Sequence, residues 1–279
     1  MTSIMKINEI YVDISDRFKL QATTKGNQIK WHRGNLWIKA DSMGYESIAE
    51  FLVSLLESHI KGLKFVKYDL CTVKETGTGK MKSYNCCVSE SFLTGSEYIV
   101  SAQRMIYAIL GTEKARDLIV NNTGVDLLVH TIDICNRCTG LGETAIYKYL
   151  SSMCKLDALT LNEDRHLNNI AFIYDGHKYK FAPIFDNGMS LLADTESFPL
   201  NKGISIGMNG VRARPFCSDF TEQALLFEDF GTLRLDYTGL INDLNKINLP
   251  EREKEFERAK GVLLRRLEYT RGVVWDAIE

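Results

Sequence analysis

The stretch that most constrains how this chain folds is residues 157–188, DALTLNEDRHLNNIAFIYDGHKYKFAPIFDNG. Two polar clusters, NEDRHLNN and FDNG, are separated by short apolar runs on either side of Asp175-Gly176. Asp-Gly between β-forming residues signals a hairpin, because the tight turn needs residues that tolerate positive φ. NIAFIYD is therefore expected to run out and HKYKFAPI to run back. Neighbouring strands lie about 4.8 Å apart, so the fold brings Asn169, at the start of the first strand, close to Asp186, at the end of the second. A carboxamide oxygen and a carboxylate at that separation can share a hard cation such as Mg²⁺, which takes oxygen ligands and keeps part of its water shell. Asp164, five residues before Asn169, sits in the loop that enters the hairpin.

Asp, Asn and His at hairpin ends are also ordinary turn formers and caps. The joint spacing sets these apart. D-x-x-x-x-N, a hairpin, then Asp-x-Gly is the order in which phosphoryl-transfer enzymes place a base, a metal-binding Asn and a metal-binding Asp. On that order Asp164 is a candidate base, and Asn169 and Asp186 are candidate metal ligands.

With 279 residues, 45% hydrophobic and 25% charged, the chain is long enough for one large domain or two lobes with separate cores. A formal net charge of -2 argues against general nucleic-acid binding and against a charge-driven membrane role. No apolar run approaches a membrane span, and MTSIMKINEI lacks a basic region followed by an apolar core, so a soluble, cytoplasmic protein is expected. Seven cysteines include one C-x-x-C, Cys135 and Cys138, with no second pair for structural zinc. Buried reduced thiols are expected.

The first forty residues read as strands: INEIYVDI, NQIKW and NLWIKA, with His32-Arg33-Gly34 as a turn. TTKGNQ, with the single Gly26, is a candidate phosphate-covering loop or an ordinary turn. Lys39 lies in the apolar strand LWIKA, where its ammonium either snorkels outward or meets an anion. From Gly44 to Ser58, Tyr45, Ile48, Ala49, Leu52, Leu55 and Leu56 recur at helical spacing. Glu46 and Glu50 share a side of that helix, and either is placed to reach Lys39, with Glu46 the expected partner. KFVKYDLCTV and YNCCVSESFL flank a hairpin loop whose Gly77-Thr78-Gly79-Lys80 is not a Walker A motif, because Met81 stands where Ser or Thr is required. Ser89-Glu90-Ser91-Phe92-Leu93 is the expected hinge, with backbone groups around Glu90 and Phe92 placed to hold an adenine.

EYIVSAQRMIYAIL, DLLVHTIDIC and ETAIYKYLSSMCKLDAL read as helices, with His130 expected in the core. The stretch 189–220 is long, rich in Gly and Pro, and has the character of a functional loop. Arg212 and Arg214 within it are candidate phosphate contacts. The tail reads as two helices, GLINDLNKI and the run from Pro250 to Trp275, the latter with a solvated charged face.

Asp164-Arg165-His166-Leu167-Asn168-Asn169 followed by Asp186-Asn187-Gly188 resembles the catalytic loop and metal motif of the HipA-like Ser/Thr protein kinases. It also resembles the D-R-H-x-x-N of phosphoinositide-kinase-related enzymes. Within the HipA-like kinases the chain resembles the proinflammatory, cell-translocating CtkA group, on GYE and AE in the first helix, S-x-S-FL near the hinge, NEDRHLNN, and APIFDNG with a following SLL. The resemblance spans about residues 25–225. It implies an α+β, bilobal protein-kinase-like fold with a small β-rich N-lobe, 1–92, and a larger, mainly helical C-lobe, 93–279. The latter carries the catalytic loop 162–169, the metal motif 186–188 and an activation-type segment 189–220.

The resemblance further implies ATP and Mg²⁺ as cofactors and a protein substrate with a Ser or Thr acceptor. Asp164 resembles the catalytic base, Asn169 and Asp186 the Mg²⁺ ligands, Lys39 the phosphate-binding lysine, and Glu46 its helix partner. His166 resembles a loop histidine that assists the transferring phosphoryl group. Gly26, Glu90 and Phe92 fall where nucleotide contacts belong. An antitoxin-like or host protein partner, translocation into a host cell, and autophosphorylation at Thr23 or Thr24 are expectations from resemblance alone. Departures are Asp-Arg-His where many protein kinases read His-Arg-Asp, and Asn187 in place of the Phe of D-F-G. A lipid or small-molecule kinase, and a nucleotide-binding toxin or partner-binding module, are the alternatives.

Overall fold

The computed structural model describes residues 7–18, 28–77 and 79–278. Gly26, Thr23 and Thr24 lie outside the described residues. Strands Asn8–Asp13 (β1), Lys30–Arg33 (β2) and Leu36–Ala40 (β3) precede helix Glu46–Leu55 (α1), which a short 3₁₀ turn extends through Ser58. Strands Asp69–Thr76 (β4) and Lys82–Glu90 (β5) form the hairpin expected from the polar link between them. The five strands make one sheet in the order β1-β4-β5-β3-β2, antiparallel except for β1 beside β4. Side chains alternate across a strand. Ile38 and Ala40 of β3 therefore join Trp31, Val73 and Cys86 in a small core on one face, and Lys39 projects from the other beside Cys87.

Strand Tyr98–Ser101 (β6) follows the hinge stretch and leads directly into helix Ala102–Leu110 (α2). The expected helix over residues 97–110 is thus a strand followed by a helix. Tyr98, Ile99 and Val100 are β-formers with a strand to pair against, and the Ser101 hydroxyl caps α2 by accepting from the Arg104 amide. Helices Thr112–Asn121 (α3), Gly124–Thr139 (α4) and Glu143–Thr160 (α5) follow. His130 is exposed on α4 and bonds the Asp126 carbonyl, correcting its expected place in the core. The flanking Leu127, Leu128 and Thr131 carry the buried face instead.

The hairpin forms as expected, from Ala171–Tyr174 (β7) and Tyr179–Phe181 (β8), with Asp175 accepting the amides of His177 and Lys178 in the turn. With β6 it makes a three-stranded sheet. Helices Ile204–Gly210 (α6) and Phe220–Leu225 (α7), strand Leu233–Leu235 (β9), and helices Tyr237–Lys246 (α8) and Glu253–Thr270 (α9) complete the body. The helix expected to reach Trp275 ends at Thr270, and the chain turns back as strand Trp275–Ala277 (β10), parallel to β9.

One hydrophobic core runs from α1 through α2, α4 and α5 to α9, with Ile48, Leu52, Leu150, Leu156, Leu263 and Leu267 fully or almost fully buried. Each such side chain contributes about 1.5–3 kcal/mol on burial. The charged face of α9 and of the turn before it is not simply solvated: Arg252, Arg258 and Arg266 are buried. Arg258 donates to the carbonyls of Phe198, Pro199 and Lys202, and Arg252 pairs with Asp41. Five cysteines are buried, Cys138 and Cys217 are half-buried, and all seven are free. Among the described residues no helix is long and apolar enough to cross a membrane.

Candidate active site

Lys39 reaches from β3 to two carboxylates, Glu50 of α1 at 2.7 Å and Asp186 at 2.8 Å. Its side chain is 11% exposed, that of Glu50 1% and that of Asp186 33%. Burial is the largest single influence on Lys39 and Asp186 and opposes charge on both. Attraction outweighs it: Asp186 and Glu50 hold Lys39 well above the usual lysine value, and Lys39, joined by Lys30, holds Asp186 well below the carboxylate range. Lys30 is the β2 residue directly opposite Lys39 in the sheet register, so two ammonium groups share this face. Like charges directly across a ladder repel. Asp186 is the carboxylate that offsets them here.

The second oxygen of Glu50 accepts the Asn187 amide at 2.9 Å, so one carboxylate fixes both the strand lysine and the loop bearing Asp186. Glu46 does not contact Lys39. Its carboxylate turns back over the start of α1 and accepts the amides of Ser42, Met43 and Gly44 at 2.7–3.0 Å. The expected Lys39–Glu46 pair is corrected to Lys39–Glu50. An acidic residue in the first helical turn is drawn to unpaired amides, whereas one a turn further in is left to face the sheet.

Asp157, in the last turn of α5, and Arg165 are both fully buried. Arg165 donates to both Asp157 oxygens at 2.9 and 3.0 Å, to the Phe185 carbonyl at 2.9 Å and to Asn187 Oδ1 at 2.5 Å. Burial disfavours its charge, and the adjoining Asp157 carboxylate more than restores it. The guanidinium therefore joins the end of α5, the 162–169 loop and the 185–187 segment. Within the loop, Asn162 accepts the Asp164 amide, and Asn169 Nδ2 donates to the Asp164 carbonyl at 3.0 Å. His166 Nε2 lies 3.8 Å from Asp164 Oδ2, and the imidazole is 41% exposed.

Among the described residues, the non-glycine positions with positive φ are Leu161, Asp186, Leu191 and Leu192, all flanking this loop or following Asp186. Such conformations cost about 1–3 kcal/mol each and cluster where surroundings over-determine them for function. Phe92 and Phe185, ring centres 5.8 Å apart, pack against both Val66-Tyr68-Cys87 under the large sheet and Ala171-Ile173-Ala182 in the small one. Phe92 is thus half-buried between the two sheets, and Glu90 ends β5 with an exposed side chain.

The donor set left by these contacts suits a hard cation. Asn169 uses its amide nitrogen on Asp164, which leaves the carboxamide oxygen, and Asp186 adds a carboxylate. No group of three or more His, Cys, Asp or Glu side chains converges on a metal site among the described residues. One carboxylate and one carboxamide leave the remaining positions to water and phosphate oxygens, as Mg²⁺ prefers. Glu50, Lys30 and Arg165 complete the cluster. Sequence spacing offered Glu50 as the second choice and gave no role to the other two. The signal for Arg165 was Asp157 at the end of the preceding helix; for Lys30 it was the strand register.

A curled β-sheet carrying a lysine, joined to a mainly helical body carrying the Asp164–Asn169 loop and Asp186, is a protein-kinase-like α+β fold. Among solved structures the chain is similar to a Helicobacter pylori proinflammatory kinase CtkA, with a TM-score of 0.61 over 93% of this chain and 95% of that one, at 18% identity. It also matches a Shewanella oneidensis MR-1 toxin–antitoxin complex of HipA, HipB and operator DNA, with a TM-score of 0.46 over 90% of this chain and 66% of that one, at 15% identity. No family model and no curated protein matches the sequence. The likeness to CtkA bears out the kinase-like fold expected from NEDRHLNN and FDNG.

Proposed function

We propose that this protein is a phosphotransferase that moves the γ-phosphoryl group of ATP to a hydroxyl, with a protein Ser or Thr as acceptor. The observation that carries the reading is the Lys39–Glu50–Asp186 cluster, held to the Asp164–Asn169 loop through Arg165. In this reading Lys39, positioned by Glu50, binds phosphate oxygens, and Lys30 adds a second cation beside it. Asp164 accepts the proton as the acceptor oxygen bonds to phosphorus and ADP departs. Asn169 and Asp186 hold Mg²⁺, which when bound supplies charge neutralisation at the phosphates. His166, on the same loop, assists the transferring group. Phe92, Phe185 and the backbone near Glu90 line the place for adenine. Positioning and preorganised charge supply most of the acceleration in such a site.

The test is purified protein with labelled ATP, Mg²⁺ and a generic protein substrate, beside Asp164→Asn and Asp186→Asn. Each variant is expected to lose label transfer by about 10²-fold or more. Transfer that neither substitution affects would sink the mechanism. Transfer to phosphoinositides with none to protein would reassign the acceptor to lipid.

A further inference from the structure

A cavity of about 860 Å³ lies between α6, the start of α7 and α9, with Leu161, the residue before the 162–169 loop, on its wall. Three guanidinium groups line it: Arg212 from the 189–220 segment, and Arg265 and Arg266 from α9. Each bonds only neutral groups among the described residues. Arg212 donates to the carbonyls of Asn209 and Val211, Arg265 to the Ser205 hydroxyl, and Arg266 to the Ala158 carbonyl at the end of α5. Asp219 and Glu268 share the lining, and one oxygen of Asp219 accepts the first amides of α7. Arg266 is buried, burial disfavours its charge, and Tyr269 and Asp219 offset this only in part, so an anion reaching it from the cavity is favoured.

We infer that this cavity binds a phosphate monoester. Three arginines from two elements, against Asp219 and Glu268, leave the lining net positive, which suits a phosphate monoester with close to two negative charges better than a single carboxylate. Ser205 and Thr221 add hydroxyl donors on the same lining. The space is larger than an inorganic ion needs, and Met208, Val211 and Phe220 give it an apolar side that suits an organic body attached to the phosphate. A ligand held there would tie the 189–220 segment to α9. The inference does not rest on the phosphotransferase reading, because neither Lys39 nor Asp164 lines the cavity.

The experiment is calorimetric titration of inorganic phosphate, O-phospho-L-serine, and a short phosphoserine peptide with its unphosphorylated twin. The proteins are the wild type, Arg212→Met, Arg265→Met and Lys39→Met. Both arginines are exposed, so their variants should fold, and thermal unfolding checks this. Phosphoserine, free or in the peptide, is expected to bind the wild type, and the unphosphorylated twin is not. Each arginine variant should weaken binding about tenfold, and Lys39→Met should leave it unchanged. Stronger binding of the peptide than of free phosphoserine identifies a protein source, and the reverse a small metabolite. No binding of either phosphoserine ligand, or binding lost in Lys39→Met and kept in the arginine variants, overturns the inference.

Discussion

Glu46 and Glu50 stand one helical turn apart on α1, and their carboxylates do separate things. Glu50 bonds Lys39 and the Asn187 amide, and Glu46 bonds three amides before its own helix. Hydrogen bonds to charged groups are worth about 1.5–3 kcal/mol. Glu50→Gln is therefore expected to slow the proposed phosphoryl transfer by roughly 10- to 100-fold. Glu46→Gln, which weakens a cap, should cost about 1 kcal/mol of stability with little change in rate. Initial rates and thermal unfolding of the two variants separate these effects; a rate loss at Glu46 equal to that at Glu50 would refute the assignment. The polar loop, the lysine-bearing strand and the acidic helix were legible because each is a local pattern. Which glutamate meets the lysine was not, since both lie on one side of the helix and the docking of α1 on the sheet decides between them.

The α5–loop–hairpin unit shows the same division at the scale of elements. Asp175-Gly176 specified the hairpin from two residues, because turn chemistry is local. β6 was misread because four residues of strand ahead of an amphipathic helix share its apolar spacing, and only pairing with β7 distinguishes them. Buried charge is less legible still. Nothing in the sequence of α9 and the turn before it marks Arg252, Arg258 and Arg266 as interior, since, apart from Glu255 beside Arg252, their partners are carboxylates and carbonyls far along the chain. Arg165 is the strongest case: with Asp157 it forms an ion pair with no exposure on either side. Removing one partner of such a pair leaves an uncompensated charge, at a cost of about 3–5 kcal/mol. Asp157→Leu and Arg165→Met are each expected to lose this much in urea unfolding, and the double variant to lose less than the sum. Single variants within 1 kcal/mol of wild type would contradict a structural role for the pair.

At the scale of the whole molecule, the start of α1 is fastened to both the 189–195 segment and α9. The Tyr45 amide donates to the Ala193 carbonyl, the Thr195 amide to the Met43 carbonyl, and the Tyr45 hydroxyl to the Leu191 carbonyl. Gly44 is required there: a Cβ would lie 2.1 Å from the Ala193 carbonyl oxygen. Beside it, Asp41 accepts the amide and hydroxyl of Ser47 and pairs with Arg252 at 2.8 Å, joining the end of β3 to the turn before α9. Burial pushes the Asp41 carboxyl up to about 6, and the Arg252 charge only partly opposes this. The folded protein therefore holds a proton on Asp41 up to about pH 6, and the unfolded chain releases it near 3.8. Between those values the folded state binds more protons. The contribution to stability is fully present below the unfolded value and is lost as pH rises through about 6, by roughly 3 kcal/mol in total. Asp41→Asn, which cannot titrate, is expected to remove this loss, so the stability difference between variant and wild type should shift in the variant's favour from pH 4 to pH 7. Denaturant midpoints of both proteins across that range measure it directly. Parallel curves would mean that Arg252 keeps Asp41 ionised throughout, and that the fastening between β3 and α9 is an ion pair at every pH tested.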